Sequence, residues 1–155
     1  SLLNLEARGI KTEDIVVLPY PSYGVKLYGN VIIASPKLLK ENPAAVKAFL
    51  AAFAKGAKEV MANPDAAIDY VKARDGIINV DLEKRRLRLA IDAVVASADA
   101  RTEGFGQIVP GRMALMASQV SDAFGTKTRV DPAAVWTDAA LPSKADLNIL
   151  PPVRK

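Results

Sequence analysis

The apolar positions of this chain change period once, near residue 35. Ahead of that point they fall in short unbroken runs, "IVVL" at Ile15–Leu18 and "VIIA" at Val31–Ala34. Neither run alternates with polar residues, which is the pattern of a β-strand buried on both faces of a parallel or mixed sheet. Beyond residue 35 the period is helical. From Pro43 onward Val46, Phe49, Leu50, Phe53, Ala57, Val60 and Met61 fall on one face. A shorter helix is predicted over Pro64–Lys72. Another is predicted over Asp81–Ala96, with Leu87, Ala90, Ile91 and Val94 inward and Lys84, Arg85, Arg88 and Asp92 outward. A further helix starts near Pro110, carries Met113, Met116, Val120 and Phe124 on a stripe, and stops at Gly125. The opening "LNLEAR" reads as a short helix stopped at Gly9, and the tail "LPSKADLNILPPVRK" as extended.

The helix starts carry a shared signature. Ser35-Pro36, Asn42-Pro43, Asn63-Pro64 and Asp131-Pro132 each place a side-chain acceptor at the N-cap and proline at the first helical position. Proline there lacks only an N–H that has no intrahelical partner anyway. The similar stretches "ENPAAVKAFLAA", "ANPDAAIDYVKA" and "VDPAAVWTDAA" start 21 and then 68 residues apart, so they share cap chemistry and not a repeat period.

The inventory is unbalanced. Two strands cannot make a sheet that this many helices could cover, because an isolated strand pair is marginal and an interior strand needs neighbours on both edges. The expected fold class is α/β, helix-rich, with few strands in this chain. The remaining strands are expected from residues outside it or from a second chain. The chain opens at Ser1 and not at methionine, so its natural start is expected upstream.

Composition narrows the chemistry. Half of the 155 residues are apolar and a quarter are charged, ordinary for a globular protein. The net charge of +4 is spread, and its densest run, "EKRRLR" at Glu83–Arg88, mixes both signs. That run reads as a solvated helix face, and no nucleic-acid partner is expected. The chain contains no cysteine and no histidine. Thiol nucleophiles, disulfides, Cys/His zinc sites and imidazole acid–base chemistry are therefore absent. No catalytic set, metal site or cofactor is expected, and "GFGQIVPG" lacks the spacing of a phosphate loop. No apolar run approaches the roughly 20 residues of a membrane helix.

One segment stands apart. "LPYPSYGVKLYGNVIIASP" places three of the four tyrosines within nine residues, beside a strand and between prolines and glycines. Tyrosine offers a flat apolar face and one orienting hydroxyl, which suits the wall of a ligand cleft. Tyr20 and Tyr23 are the first candidates for ligand contact, followed by Asn30 as an amide donor and acceptor. Tyr28 is the weakest, since strand alternation could turn it to the core. Packing beneath a chain crossover is the alternative for each. Phe105, between Gly104 and Gly106, is either a loop anchor or a lid; Trp136 and the methionine stripe are expected to be packing residues.

The ordered set "DIVVLPYPSYGVKLYGNVIIASPKLLKENPAAVKAFLAAFAKGAKEVMANPDAAIDYV", with the later "EGFGQIVPGRM" and the closing "LPPVRK", resembles the solute-binding proteins of bacterial ABC importers. The closest group captures thiamine-pyrimidine precursors, nitrate, taurine and other sulfonates. The resemblance implies a two-lobed, periplasmic-binding-protein-like fold of type II, with the lobes closing on a solute between them. On that basis residues 1–24 are expected to end one lobe and cross between lobes, and residues 25–155 to be the C-terminal helical part of the other. The N-terminal half of the protein is expected to lie outside this chain.

The resemblance also implies partners and a place: a small organic or anionic solute, a cognate membrane permease, and a periplasmic or other extracytoplasmic location. It implies no enzyme. A fungal relative makes the thiamine pyrimidine with chemistry thought to use a histidine and a cysteine-rich motif, and this chain has neither residue. Two alternatives remain open: a helical protein-interaction module, or such an enzyme with its chemistry in the other half.

Overall fold

Every helix start that carries an acceptor before a proline is capped as its sequence predicts. The computed structural model describes residues 2–152. In it the side chains of Ser35, Asn42, Asn63 and Asp131 accept from the amides of Leu38, Ala45, Ala66 and Ala133 at 3.1, 3.1, 3.3 and 2.9 Å. These caps open α2 (Pro36–Glu41), α3 (Pro43–Ala62), α4 (Pro64–Arg74) and α8 (Pro132–Val135). Asn79 and Ser97 do the same for α5 (Val80–Ala90) and α6 (Ala98–Thr102) without a following proline. α1 (Leu2–Ala7) runs into Gly9, whose φ of +89° no other residue adopts cheaply. α7 (Pro110–Phe124) ends at Gly125 in the left-handed conformation.

α1 packs on α5, α5 on α4, α4 on α3 and α3 on α2, and these helices carry the buried Leu3, Val46, Ala54 and Ile68. α7 packs on α8, and Met113 and Ala117 of α7 and Leu147 and Ile149 of the tail are buried as well. The basic run of α5 serves this packing. Arg85 pairs with Glu6 and Arg86 reaches Asn4, both on α1, while Arg88 grips Asp65 of α4 through two bonds of 3.1 and 2.8 Å. Such exposed pairs contribute about 0–1 kcal/mol each, so they set which helix meets which, and apolar burial supplies the stability.

Several expectations are corrected. The runs Ile15–Leu18 and Val31–Ala34 carry no regular secondary structure and are not strands, since a strand exists only through a neighbour's ladder and the described residues supply none. Only part of the α3 face is buried: Phe49 and Phe53 stack on each other and stay half open to water. The predicted helix over Asp81–Ala96 gives way at Ile91–Val95 to one wide π turn, which shifts the register and turns Val94 outward. The tail is not a free extended segment. Leu147 and Ile149 are among its residues and are buried, and Leu147 N–H donates to Ser143 O at 3.0 Å. Phe124, placed on the methionine stripe, is exposed at the last turn of α7. The last three residues of the motif "LPPVRK" lie outside the described residues.

The core is thin for the chain's length. Among the described residues eight apolar ones are buried, and the chain exposes 11655 Å². A compact monomer of this 16.5 kDa mass exposes roughly 7,500 Å², so roughly 4,000 Å² is left uncovered.

Two glycines should respond oppositely to alanine. Gly56, inside α3, has open space where a Cβ would stand, so Gly56→Ala is expected to stabilise by about 0.5–1 kcal/mol. Gly104 has φ +107° and its Cβ would meet that of Leu147 at 3.1 Å, so Gly104→Ala should destabilise by roughly 1–3 kcal/mol. Denaturant midpoints of the two variants check both signs.

Candidate functional site

The segment "LPYPSYG" folds into a self-contained turn. Pro19 enters it with extended backbone, Tyr20–Tyr23 form a single 3-10 turn, and Gly24 closes it at φ +85°. Ser22 N–H donates to Pro19 O at 3.0 Å and Val25 N–H to Tyr20 O at 3.1 Å. The prolines hold φ at two of the positions and the glycine allows the reversal, which is why this composition makes this turn. Its outcome is to lift two rings off the surface: Tyr20 is 77% exposed and Tyr23 66%.

The backbone from Gly24 to Tyr28 is held by α7. Gln119 Nε2 donates to Gly24 O at 3.1 Å, and Arg112 donates to Lys26 O at 3.1 Å and Leu27 O at 2.8 Å. The third guanidinium nitrogen of Arg112 reaches Asp99 Oδ2 at 2.9 Å. The guanidinium carbon also lies 4.3 Å from the centre of the Tyr28 ring, a cation–π distance. Tyr28 is itself locked. Its hydroxyl accepts from Val109 N–H at 2.7 Å and its own N–H donates to Met116 Sδ at 3.3 Å.

The three tyrosines therefore divide. Tyr20 and Tyr23 present free faces, whereas the ring and hydroxyl of Tyr28 are engaged in fixing the segment to α7. Asn30 is exposed just beyond, and its amide bonds to none of the described residues. Arg112, Asp99 and Gln119 were not singled out by sequence, because nothing local pairs residues that lie 13 or 86 positions apart. The one available signal was the arginine following Pro110-Gly111. Phe105 proves to be an anchor: its N–H donates to Leu147 O at 2.9 Å, and its ring stacks on Phe53 with centroids 6.3 Å apart. Trp136 is half-buried just past α8.

The concave surface lies elsewhere. Two open hollows of about 230 and 250 Å³ meet at Arg101 and Asn148, between α6 and the tail, and neither touches the tyrosine turn. Both fall below the volumes of about 300–1,000 Å³ usual for small-molecule sites. Among the described residues no cluster of three potential metal-ligating side chains occurs, and no helix is long and apolar enough to cross a membrane.

Residues 2–67 match the family model described as NMT1/THI5 like, a stretch that contains the whole tyrosine turn and both apolar runs. The match covers less than half of the chain and supports, at a coarse level and over those residues, the resemblance carried by the sequence motifs. No curated protein and no solved structure matches the chain.

The division among the tyrosines can be measured. Tyr28→Phe leaves the half-buried Val109 amide without its acceptor and should lower stability by about 1–3 kcal/mol. Tyr20→Phe, which removes an exposed hydroxyl, should fall within about 0.5 kcal/mol of wild type. Denaturant unfolding of the two variants gives the comparison.

Proposed function

We propose that this chain is part of the solute-binding component of a bacterial ABC importer, and that Tyr20 and Tyr23 form part of the wall against which a small solute is held. The reading rests on one observation: the family match over residues 2–67 spans a hydrogen-bonded turn that carries two exposed tyrosine rings. In this reading the chain supplies the end of one lobe over residues 1–24 and the helical part of the other lobe over 25–155. The other half of the cleft comes from outside the chain.

The mechanism needs no bond-making chemistry, and no catalytic role is proposed for any residue. An open form exposes the cleft; contacts made by both lobes exist only in the closed form, and that difference in affinity shifts the equilibrium on binding. The closed form is then what a membrane permease recognises, outside the cytoplasm. The rings favour an organic or aromatic solute, since stacking needs flat faces. Arg112, which holds the backbone just past the turn, has all three nitrogens engaged and is not offered to an anion. Asn30 supplies a free amide for orientation, and Tyr28 acts as the post that holds the wall in place.

A helical protein-interaction module is a second reading, favoured by the large uncovered apolar surface. The two separate on solute binding. In a thermal-shift panel of pyrimidines, alkyl sulfonates and nitrate on the full-length protein, one compound class should raise the midpoint. Calorimetry with that compound should then show Tyr20→Ala and Tyr23→Ala each losing about 1–3 kcal/mol of affinity, with unfolding stability unchanged. A panel that moves nothing, or variants that lose stability and keep affinity, would remove the tyrosines from any solute site.

A further inference from the structure

The hollow between α6 and the tail carries charge of one sign. Its two arms, of about 230 and 250 Å³, share Arg101 and Asn148. The first arm adds Lys144; the second adds the apolar side chains of Leu150, Pro151 and Pro152. No carboxylate lines either arm. The acids nearby are engaged elsewhere: Asp99 by Arg112 at 2.9 Å, and Asp146 by the Ser143 hydroxyl at 2.6 Å. Glu103 lies 3.9 Å from Lys144 Nζ with both side chains well exposed, a contact too long and too wet to neutralise the lysine.

The backbone around the hollow is held in place. The positive φ of Gly104 brings the loop after α6 against Leu147, where Phe105 N–H donates to Leu147 O at 2.9 Å. Asn148 N–H donates to Ala145 O at 3.3 Å, and Leu147 and Ile149 on either side of Asn148 are buried. Arg101 stands in the last turn of α6, and its Nη1 donates to Pro151 O at 3.3 Å. That bond orients the guanidinium where the arms meet and uses one of its five N–H donors.

We propose that this hollow binds a small organic monocarboxylate. The carboxylate meets the fork of Arg101, whose parallel donors match two carboxylate oxygens, with Lys144 and the Asn148 amide beside it. The short apolar body lies along Leu150–Pro152. An inorganic anion leaves the apolar arm unused, and a neutral ligand leaves two cations unanswered. The modest volume limits the ligand to a few carbon atoms. Bound there, it ties the tail to α6 beside the Arg101–Pro151 bond. The site is independent of the proposed tyrosine wall, which neither arm touches.

The probe is hexanoate, which has no ring to stack on tyrosine, titrated into the full-length protein and followed by amide chemical shifts. Gly104, Ala145 and Asn148 are expected to move together and saturate with a Kd of about 1–10 mM, while hexan-1-ol leaves them in place. Arg101→Gln should weaken hexanoate about tenfold or more, as loss of a charge-assisted hydrogen bond does. Lys144→Gln gives up only its long contact with Glu103, so it tests the charge without loosening the tail, and should weaken hexanoate about twofold to fivefold. Three results would overturn the proposal: amides that do not move or move at Tyr20–Gly24 instead, hexan-1-ol that shifts them as hexanoate does, or affinity that both variants retain.

Discussion

Arg112 brings three parts of the chain to one point. One guanidinium holds the carbonyls of Lys26 and Leu27, the carboxylate of Asp99 and the face of the Tyr28 ring. Its planar fork of donors can address several acceptors at fixed angles, which a lysine ammonium cannot, so the residue type matters as much as the charge. Through this group the segment after the tyrosine turn is referred to α7, and α6 is referred to the same point. With few residues buried elsewhere, a half-buried, multiply bonded arginine is the fixed reference for the C-terminal half of the molecule.

A thin core explains why polar contacts carry so much of the architecture. Side-chain caps open α2 to α6 and α8, ion pairs choose the α1–α5 and α4–α5 neighbours, and a glycine with positive φ lets the tail approach the loop before α7. These are contacts of geometry. Each contributes about a kcal/mol or less, and each fixes an angle or a neighbour. The apolar area that would ordinarily dominate is present in the sequence, at Val16–Leu18, Val31–Ile33, Phe49 and Phe53, but it faces outward.

That distribution also explains which features were legible. The capped helix starts were readable because an N-cap is settled within four residues: Ser35 and Leu38, or Asn63 and Ala66, need no knowledge of the fold. Val94 was misplaced because periodicity assumes a constant 3.6-residue turn, and one π turn breaks the assumption without marking the sequence. Leu147 and Ile149 were missed because prolines on both sides outweighed two isolated apolar residues. The Tyr20–Tyr23 turn was legible as a turn, whereas the clamp behind it was not, since Arg112, Asp99 and Gln119 acquire their roles only through folding.

The clamp bears on how a tyrosine wall could work. A ring that is presented in one orientation before binding loses less conformational entropy when it meets a ligand, and preorganisation of this kind raises affinity without adding contacts. Gly24 to Tyr28 are bonded to α7 and its N-cap residue at five points, while Val16 to Leu18 carry no backbone bond to the described residues. A bend is cheapest where no bond must break. On the two-lobed reading, the pivot then falls before Pro19, and the tyrosine turn travels with α7 as one rigid body. The crossing segment expected to run through Gly24 is in that case split: its first part bends and its last part is fixed. Tyr20 and Tyr23 sit at the boundary, on the side that does not bend, where a wall can keep its shape while the lobes move.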